Sequence, residues 1–163
     1  MSDESHSVRR LGPTDLADAR ELLDLFGTAF AEPATYGGAV PDDAYLRRLL
    51  GREHVLVLVA DRPGGIAGGL VAYELEKLEQ ARSEIYIYDL AVATACRRRG
   101  VATALIGALQ RIAAARGAWV IFVQADHGDD PAIALYTKLG SREDVLHFDI
   151  PVPPSDGGMP RKA

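Results

Sequence analysis

Arg97, Arg98 and Arg99 stand directly before Gly100 and an apolar run, in a chain of net charge -5. Ala102, Leu105, Ile106, Leu109 and Ile112 follow at helical spacing. A helix start leaves backbone N–H groups unpaired and carries the positive end of the macrodipole. Cations there oppose the dipole, so the triplet is expected to serve a bound anion. Gly100 lets the backbone approach that anion closely, and a pyrophosphate suits such a cradle best. The bland alternative is a helix with a basic first turn. A second chemical resource is carboxylate. Asp89 closes an apolar strand, Asp126, Asp129 and Asp130 crowd one polar loop, and Asp149 lies further on. Acidic clefts of this kind concentrate cations.

The elements that must position these groups can be traced along the chain. Glu84 to Ala93 alternates and carries aromatic and β-branched residues, as a strand does. Gly100 to Arg116 reads as a long helix, with Gly117 as its C-terminal residue. Upstream, Val8 to Leu11 reads as an edge strand. Thr14 is the expected cap of a helix whose face is Leu16, Ala19, Leu22, Leu23, Phe26 and Phe30. Ala31 to Val40 reads as a loop. Asp42 and Asp43 open a short helix burying Tyr45, Leu46, Leu49 and Leu50. His54 to Ala60 and Ile66 to Leu75 flank the turn signal Arg62-Pro63-Gly64-Gly65 and form a hairpin. Gly68 and Gly69 mark a bulge or a close backbone approach.

Downstream, Trp119 to Val123 reads as a buried strand, with Trp119 and Phe122 in the core. Pro131 suits the first turn of a helix carrying Ala132, Leu135, Tyr136 and Leu139, which Gly140 stops. Asp144 to Ile150 is expected as a last strand. The order predicts an α/β protein, a mixed central sheet with helices on both faces, antiparallel early and parallel near the middle.

The 163 residues suffice for one domain, taken as 1–163 with a core of about 8–150, a polar N-terminus and a proline-rich tail. The acidic balance argues against nucleic acid as a partner. No run is long enough to span a bilayer and none resembles a signal peptide, so a reducing cytoplasm is the default. One cysteine excludes an internal disulfide and any cysteine-based metal site. Asp126, His127 and Asp129 are too crowded on one loop to predict a metal, and Cys96 reads as a turn residue.

Two motifs carry a family resemblance. Arg97-x-x-Gly100-x-Ala102 resembles motif A of the GNAT superfamily of acetyl-CoA-dependent N-acetyltransferases, placed after a strand and at a helix start. Asp129-x-x-Ala132-x-x-Leu135-Tyr136-x-Lys138-x-Gly140 resembles its second signature, with Asp for the usual Asn, and Ser141 where an aromatic residue commonly follows. The blocks Glu79 to Val92, Val123 to Asp126, Gly128 to Ala132 and His147 to Ile150 further resemble the type I aminoglycoside 3-N-acetyltransferases. So do Leu23-Asp24-Leu25-Phe26 and Ala34-Thr35-Tyr36.

The resemblance implies the GNAT acyl-CoA N-acyltransferase fold and a reaction. An amine attacks the thioester of acetyl-CoA directly in a ternary complex, leaving coenzyme A. The acceptor would be the 3-amino group of the 2-deoxystreptamine ring of gentamicin-class antibiotics, giving resistance. It places the cofactor on Leu90, Ala91 and Val92, on Arg97, Arg98, Arg99, Gly100, Val101, Ala102 and Thr103, and on Ala132 and Tyr136. Leu90 and Val92 act there through their main chain, the strand being bulged and splayed.

Tyr136 either protonates the leaving thiolate or simply packs on the sheet. Asp89 is the first choice of base, since burial raises a carboxylate pKa; bulge N–H groups would lower it instead. Glu84 or an ordered water are the alternatives. Glu84, Asp89, Asp126, Asp129, Asp130 and Asp149 are the candidate contacts to a polycationic acceptor, with Glu32 and Glu79 further off. A homodimer is expected from the resemblance alone. The competing functions are a GNAT enzyme for another amine, a polyamine or a protein N-terminus, and a non-catalytic acyl-CoA-binding module.

Overall fold

The computed structural model describes residues 6–157. The start of the polar N-terminus and the end of the proline-rich tail lie outside them. The chain forms two compact units, Met1–Gln124 and Ala125–Ala163.

The first unit is built on a five-stranded sheet with neighbours in sequence order. Its strands are β1 (Val8–Arg10), β2 (Val55–Arg62), β3 (Gly65–Glu76), β4 (Ser83–Val92) and β5 (Ala118–Val123). The first four pair antiparallel, whereas β4 and β5 pair parallel. Helix α4 (Val101–Arg116) makes the crossover that a parallel pair requires. Before β2 come α1 (Leu16–Ala29), α2 (Pro33–Gly37) and α3 (Asp43–Leu50).

Strand β2 is buried on both faces, as its unbroken run Val55-Leu56-Val57-Leu58-Val59 requires. Val55, Val57 and Val59 pack with Leu22 and Phe26 of α1 and Leu50 of α3. Leu56 and Leu58 alternate onto the other face, against which α4 brings Leu105 and Leu109, each 0 % exposed. Each such side chain contributes about 1.5–3 kcal/mol on burial. The two faces thus have separate helical covers, and the face a β4 residue takes decides which cover it meets.

The tandem glycines are a close approach. A Cβ on Gly68 would lie 2.7 Å from the Ala91 carbonyl oxygen, and one on Gly69 2.8 Å from that of Leu58. The extra residues fall beside them. Ala60 pairs with Gly68 but Asp61 with Ile66, leaving Ala67 over. Val71 pairs with Asp89 but Ala72 with Ile87, leaving Tyr88 over.

Several expectations are corrected. Asp15, not Thr14, precedes the first helical residue, and its carboxylate accepts from the Gly12 N–H at 2.7 Å. The segment 31–40 is not all loop: Pro33 opens α2, its missing N–H costing nothing at a first helical turn. Tyr45 is exposed rather than buried, because Leu46, Leu49 and Leu50 take the inward face of α3. Trp119 and Phe122 are not core. They stand on β5, which is the outer strand of the sheet, and Trp119 is 66 % exposed. The Arg82 guanidinium covers the Trp119 ring at 4.2 Å.

In the second unit, α5 (Asp130–Leu139) starts at the proline as expected. Asp144 to Ile150 is not a strand: it makes no ladder pairing, and its apolar side chains Val145, Leu146, Phe148 and Ile150 are exposed. Among the described residues, no helix is long and apolar enough to cross a membrane.

Candidate active site

The first-turn amides of α4 are bare. No side chain caps them, and the first helical bond runs from Ala104 N–H to the Gly100 carbonyl, so Val101, Ala102 and Thr103 present N–H groups outward. Gly100 sits at φ 79° with open space where a side chain would be. Arg98 adopts φ 61°, a conformation that costs a residue with a Cβ about 1–2 kcal/mol. Strain of this type collects at ligand clamps. Arg97 donates from Nε to the Val92 carbonyl at 3.3 Å, and the Arg99 carbonyl meets His6 Nε2 at 2.8 Å. Among the described residues, no carboxylate pairs with any of the three arginines. The cap therefore combines three unpaired amides, three arginines with no carboxylate partner among the described residues, and a glycine with room above it.

The strand that leads to this cap is paired unequally. The parallel ladder with β5 ends at Ile87, while the ladder with β3 continues to Val92. From Tyr88 to Val92 the main chain of β4 therefore has a strand neighbour on one side alone. Leu90, Ala91 and Val92 lie in this stretch. An extended ligand arm can add there as a strand would.

The bulge at Tyr88 sets where Asp89 points. Side chains alternate along a strand, and one inserted residue reverses the phase. Ile87 aligns with Ala72 and Leu56, on the α4 side. Asp89 aligns with Val71 and Val57, on the side of α1. If β4 ran through Tyr88 without a bulge, Asp89, two residues on from Ile87, would share its face and point at α4. With it, Asp89 joins Tyr73 and Tyr86, whose hydroxyls burial holds above the usual tyrosine range, the Asp89 charge adding to the rise.

On that face the Tyr36 hydroxyl donates to Asp89 Oδ1 at 3.0 Å. Burial pushes the Asp89 carboxyl above the ordinary range, the Tyr36 hydrogen bond pulls it back, and the Glu32 carboxylate adds to the rise. Burial and the Asp89 charge hold the Tyr36 hydroxyl well above its own usual range, so it remains a donor. Tyr36 also borders a cavity of about 560 Å³ with Leu23, Asp24, Gly27, Thr28 and Ala31. Cavities of this size suit small ligands.

The other candidates are placed as follows. Glu84 faces Lys77 Nζ at 3.4 Å. In the second unit Asp129 caps α5, accepting from Ala132 N–H at 3.3 Å, and Asp130 begins the helix. Asp126 is exposed, and Asp149 meets His147 Nε2 at 3.0 Å. Tyr136 is half-buried on α5, and burial, then the Asp129 carboxylate, raises its pKa. Cys96 is buried at a 3-10 turn, with Arg62 Nη1 at 3.6 Å from its sulfur. Among the described residues, no group of His, Cys, Asp and Glu could hold a metal. Tyr36 is the residue that reasoning from the sequence missed. The available signal was Pro33, which opens a helical turn and puts Glu32 and Tyr36 four apart.

The chain is 58 % identical, with TM-score 0.88, to the aminoglycoside acetyltransferase HMB0005 from an uncultured soil metagenomic sample, over 93 % of this chain and 99 % of that one. It is 33 % identical, with TM-score 0.85, to the aminoglycoside acetyltransferase meta-AAC0020 from an uncultured soil metagenomic sample, solved in complex with sisomicin, over 92 % and 98 %. An uncharacterized N-acetyltransferase of Bacillus subtilis (strain 168), YhfO, is 24 % identical over 149 residues, 90 % of this chain and 98 % of that protein. The model of the Acetyltransferase (GNAT) family matches residues 20–141. The chain thus belongs to the GNAT family of acetyltransferases, which take the acetyl group from acetyl-CoA.

Proposed function

We propose that this enzyme acetylates aminoglycoside antibiotics of the gentamicin class on the 3-amino group of the 2-deoxystreptamine ring, giving resistance. The observation that carries the acceptor class is the 58 % identity to an aminoglycoside acetyltransferase over nearly both whole chains. The half-buried Asp89 carboxylate, bonded to the Tyr36 hydroxyl, supports it, because a polyamine-bearing sugar needs an anion that stays accessible. The position on the ring rests on the resemblance of the Glu79 to Val92 and His147 to Ile150 blocks.

The chain's own residues fit coenzyme A. The amides of Val101, Ala102 and Thr103, with Arg97, Arg98 and Arg99, bind its diphosphate, and the open space above Gly100 admits it. The one-sided stretch Leu90, Ala91 and Val92 pairs with its pantetheine arm. The family resemblance of the second motif adds Ala132 and Tyr136 to the residues proposed to contact it. Acetyl-CoA, when bound, supplies an activated acetyl thioester.

Acceptor amines are mostly protonated at neutral pH, so a base must first free the lone pair. Asp89 takes that proton, its raised pKa making it a better base than an exposed carboxylate. Glu84 suits the task less, since Lys77 faces it. Attack by that amine would form the C–N bond at the acetyl carbon and break the C–S bond, and the new amide nitrogen would give up its second proton to water. Tyr136, which keeps its proton at neutral pH, donates it to the departing thiolate. Asp126, Asp129, Asp130 and Asp149 offer acceptors to further ammonium groups of the antibiotic. A homodimer belongs to this reading, its support being the exposed Trp119, Val120 and Phe122 on the outer strand.

The deciding experiment is acetyl transfer from acetyl-CoA to gentamicin and sisomicin, with the modified nitrogen located by NMR. Acetylation at the 3-amino group is expected. Modification of spermidine or an N-terminal peptide instead of the antibiotics overturns the acceptor class. Binding of acetyl-CoA without turnover of any amine reduces the protein to a binding module.

A further inference from the structure

Helix α2 is held in place more firmly than a surface turn requires. Its one inward side chain, Tyr36, lies between Phe26 at 5.9 Å and Phe30 at 5.6 Å, measured between ring centroids. Gly27 of α1 is buried beneath it, and a Cβ there would stand 3.3 Å from the Tyr36 Cβ. Ala31, the link between the helices, is bent into φ 54°, which an alanine adopts at a cost of about 1–2 kcal/mol. Packing, a glycine and a strained link all fix one hydroxyl, and that hydroxyl is bonded to Asp89 at 3.0 Å.

We propose that Tyr36 is a positioning residue for the acceptor reaction, holding the Asp89 carboxylate in its proton-taking orientation, and that Glu32 on the same turn opposes it electrostatically. The inference rests on Asp89 being the base. It adds an element, α2, that neither motif contains.

The charged and titratable groups that interact with Asp89 are Tyr36 from α2, Glu32 at the cap of α2, Tyr73 from β3 and Tyr86 from β4. Tyr36, Tyr73 and Tyr86 are neutral at the pH of the reaction, since each is held above its ordinary value. Glu32 and the Tyr36 hydrogen bond are therefore the two influences from α2 and its cap that act on the carboxylate, with opposite signs. A donor to the ionised form favours it, and a neighbouring like charge disfavours it.

The test uses the full chain, with Tyr36→Phe and Glu32→Gln each compared with the parent. The first readout is the acid limb of kcat/KM against pH for acetylation of sisomicin. The second is the titration of the Asp89 carboxyl carbon by NMR, without acceptor. Tyr36→Phe is expected to move both midpoints to higher pH by about one unit, the size of one hydrogen bond to a charged group. Transfer then falls about tenfold on the acid side and little in alkali. Glu32→Gln, on an exposed side chain, is expected to move both midpoints to lower pH.

Merely structural damage lowers the rate equally at every pH and leaves the carboxyl titration where it was. That result, or shifts of the same sign in both variants, overturns the proposal. Asp89→Asn separates the two readings. Full transfer in that variant removes Asp89 as the base, while the carboxyl titration in Tyr36→Phe still decides whether Tyr36 governs the carboxylate.

Discussion

At the start of α4 the working groups are consecutive: three arginines, a glycine and the amides of Val101, Ala102 and Thr103. Around Asp89 they come from α2, β3 and β4, with 53 positions between Tyr36 and Asp89. The first site uses backbone dipoles whose direction is fixed once the helix forms. The second uses side chains whose direction depends on a bulge and on how a five-residue helix packs. Anion recognition of this kind is thus robust to changes elsewhere in the chain. The acid–base centre is sensitive to changes of a single residue in the register.

The strongest way to break the contrast is Asp89→Ala. With the carboxylate gone, acetyl transfer is expected to fall by about 10²–10⁴-fold, the usual worth of an acid–base group. Tyr88→Ala keeps the extra residue and is expected to retain most of the activity. Coenzyme A binding, measured by calorimetry, should survive in both if the two sites are built independently.

Asp89→Asn is expected to cost a similar factor in kcat with the fold intact. The sign for stability is opposite. A carboxyl whose folded pKa is raised contributes stability that is full below its unfolded pKa and lost as pH rises through the folded value. At pH 7 the ionised Asp89 is therefore a burden on the fold, and the asparagine variant should melt no lower than the parent. A deficit in the variant's melting temperature at pH 7 that shrinks in acid would contradict the raised pKa.

Leu105→Ala tests the cover of α4 rather than either site. Its side chain is 0 % exposed, and its truncation is expected to cost about 2–5 kcal/mol in denaturant unfolding. Gly100→Val is milder for the fold, about 1–2 kcal/mol for a left-handed residue with a Cβ, but it fills the space above the cap. A rise in KM for acetyl-CoA of about tenfold, with kcat nearly kept, is the expected steady-state result. The smallest effect is expected for Trp119→Thr on the outer strand, within about 0.5 kcal/mol by thermal unfolding at low protein concentration.

Local periodicity and turn chemistry made β2, β3, β4, α4 and α5 legible, because each is decided by residues a few positions apart. Pro131 announced α5 by the same physics that, at Pro33, announced α2 without being read. The burial of β5 was misjudged for another reason. A run such as Trp119-Val120-Ile121-Phe122-Val123 fits an inner or an outer strand equally, and only neighbours distant in sequence decide which. The segment 144–150 alternates like a strand, yet alternation supplies no partner for its main chain.

The chain's residues by themselves determined the helix cap, its bare amides and the arginines before it, since a helix creates its dipole and its unpaired N–H groups from local geometry. Only the tertiary structure decided which way Asp89 faces and what touches it. One extra residue opposite Val71 and Ala72 reverses the strand's phase, and Tyr36 arrives from 53 positions away. Neither event leaves a local trace, because strand register and helix docking are settled by pairing and packing between segments the sequence keeps apart.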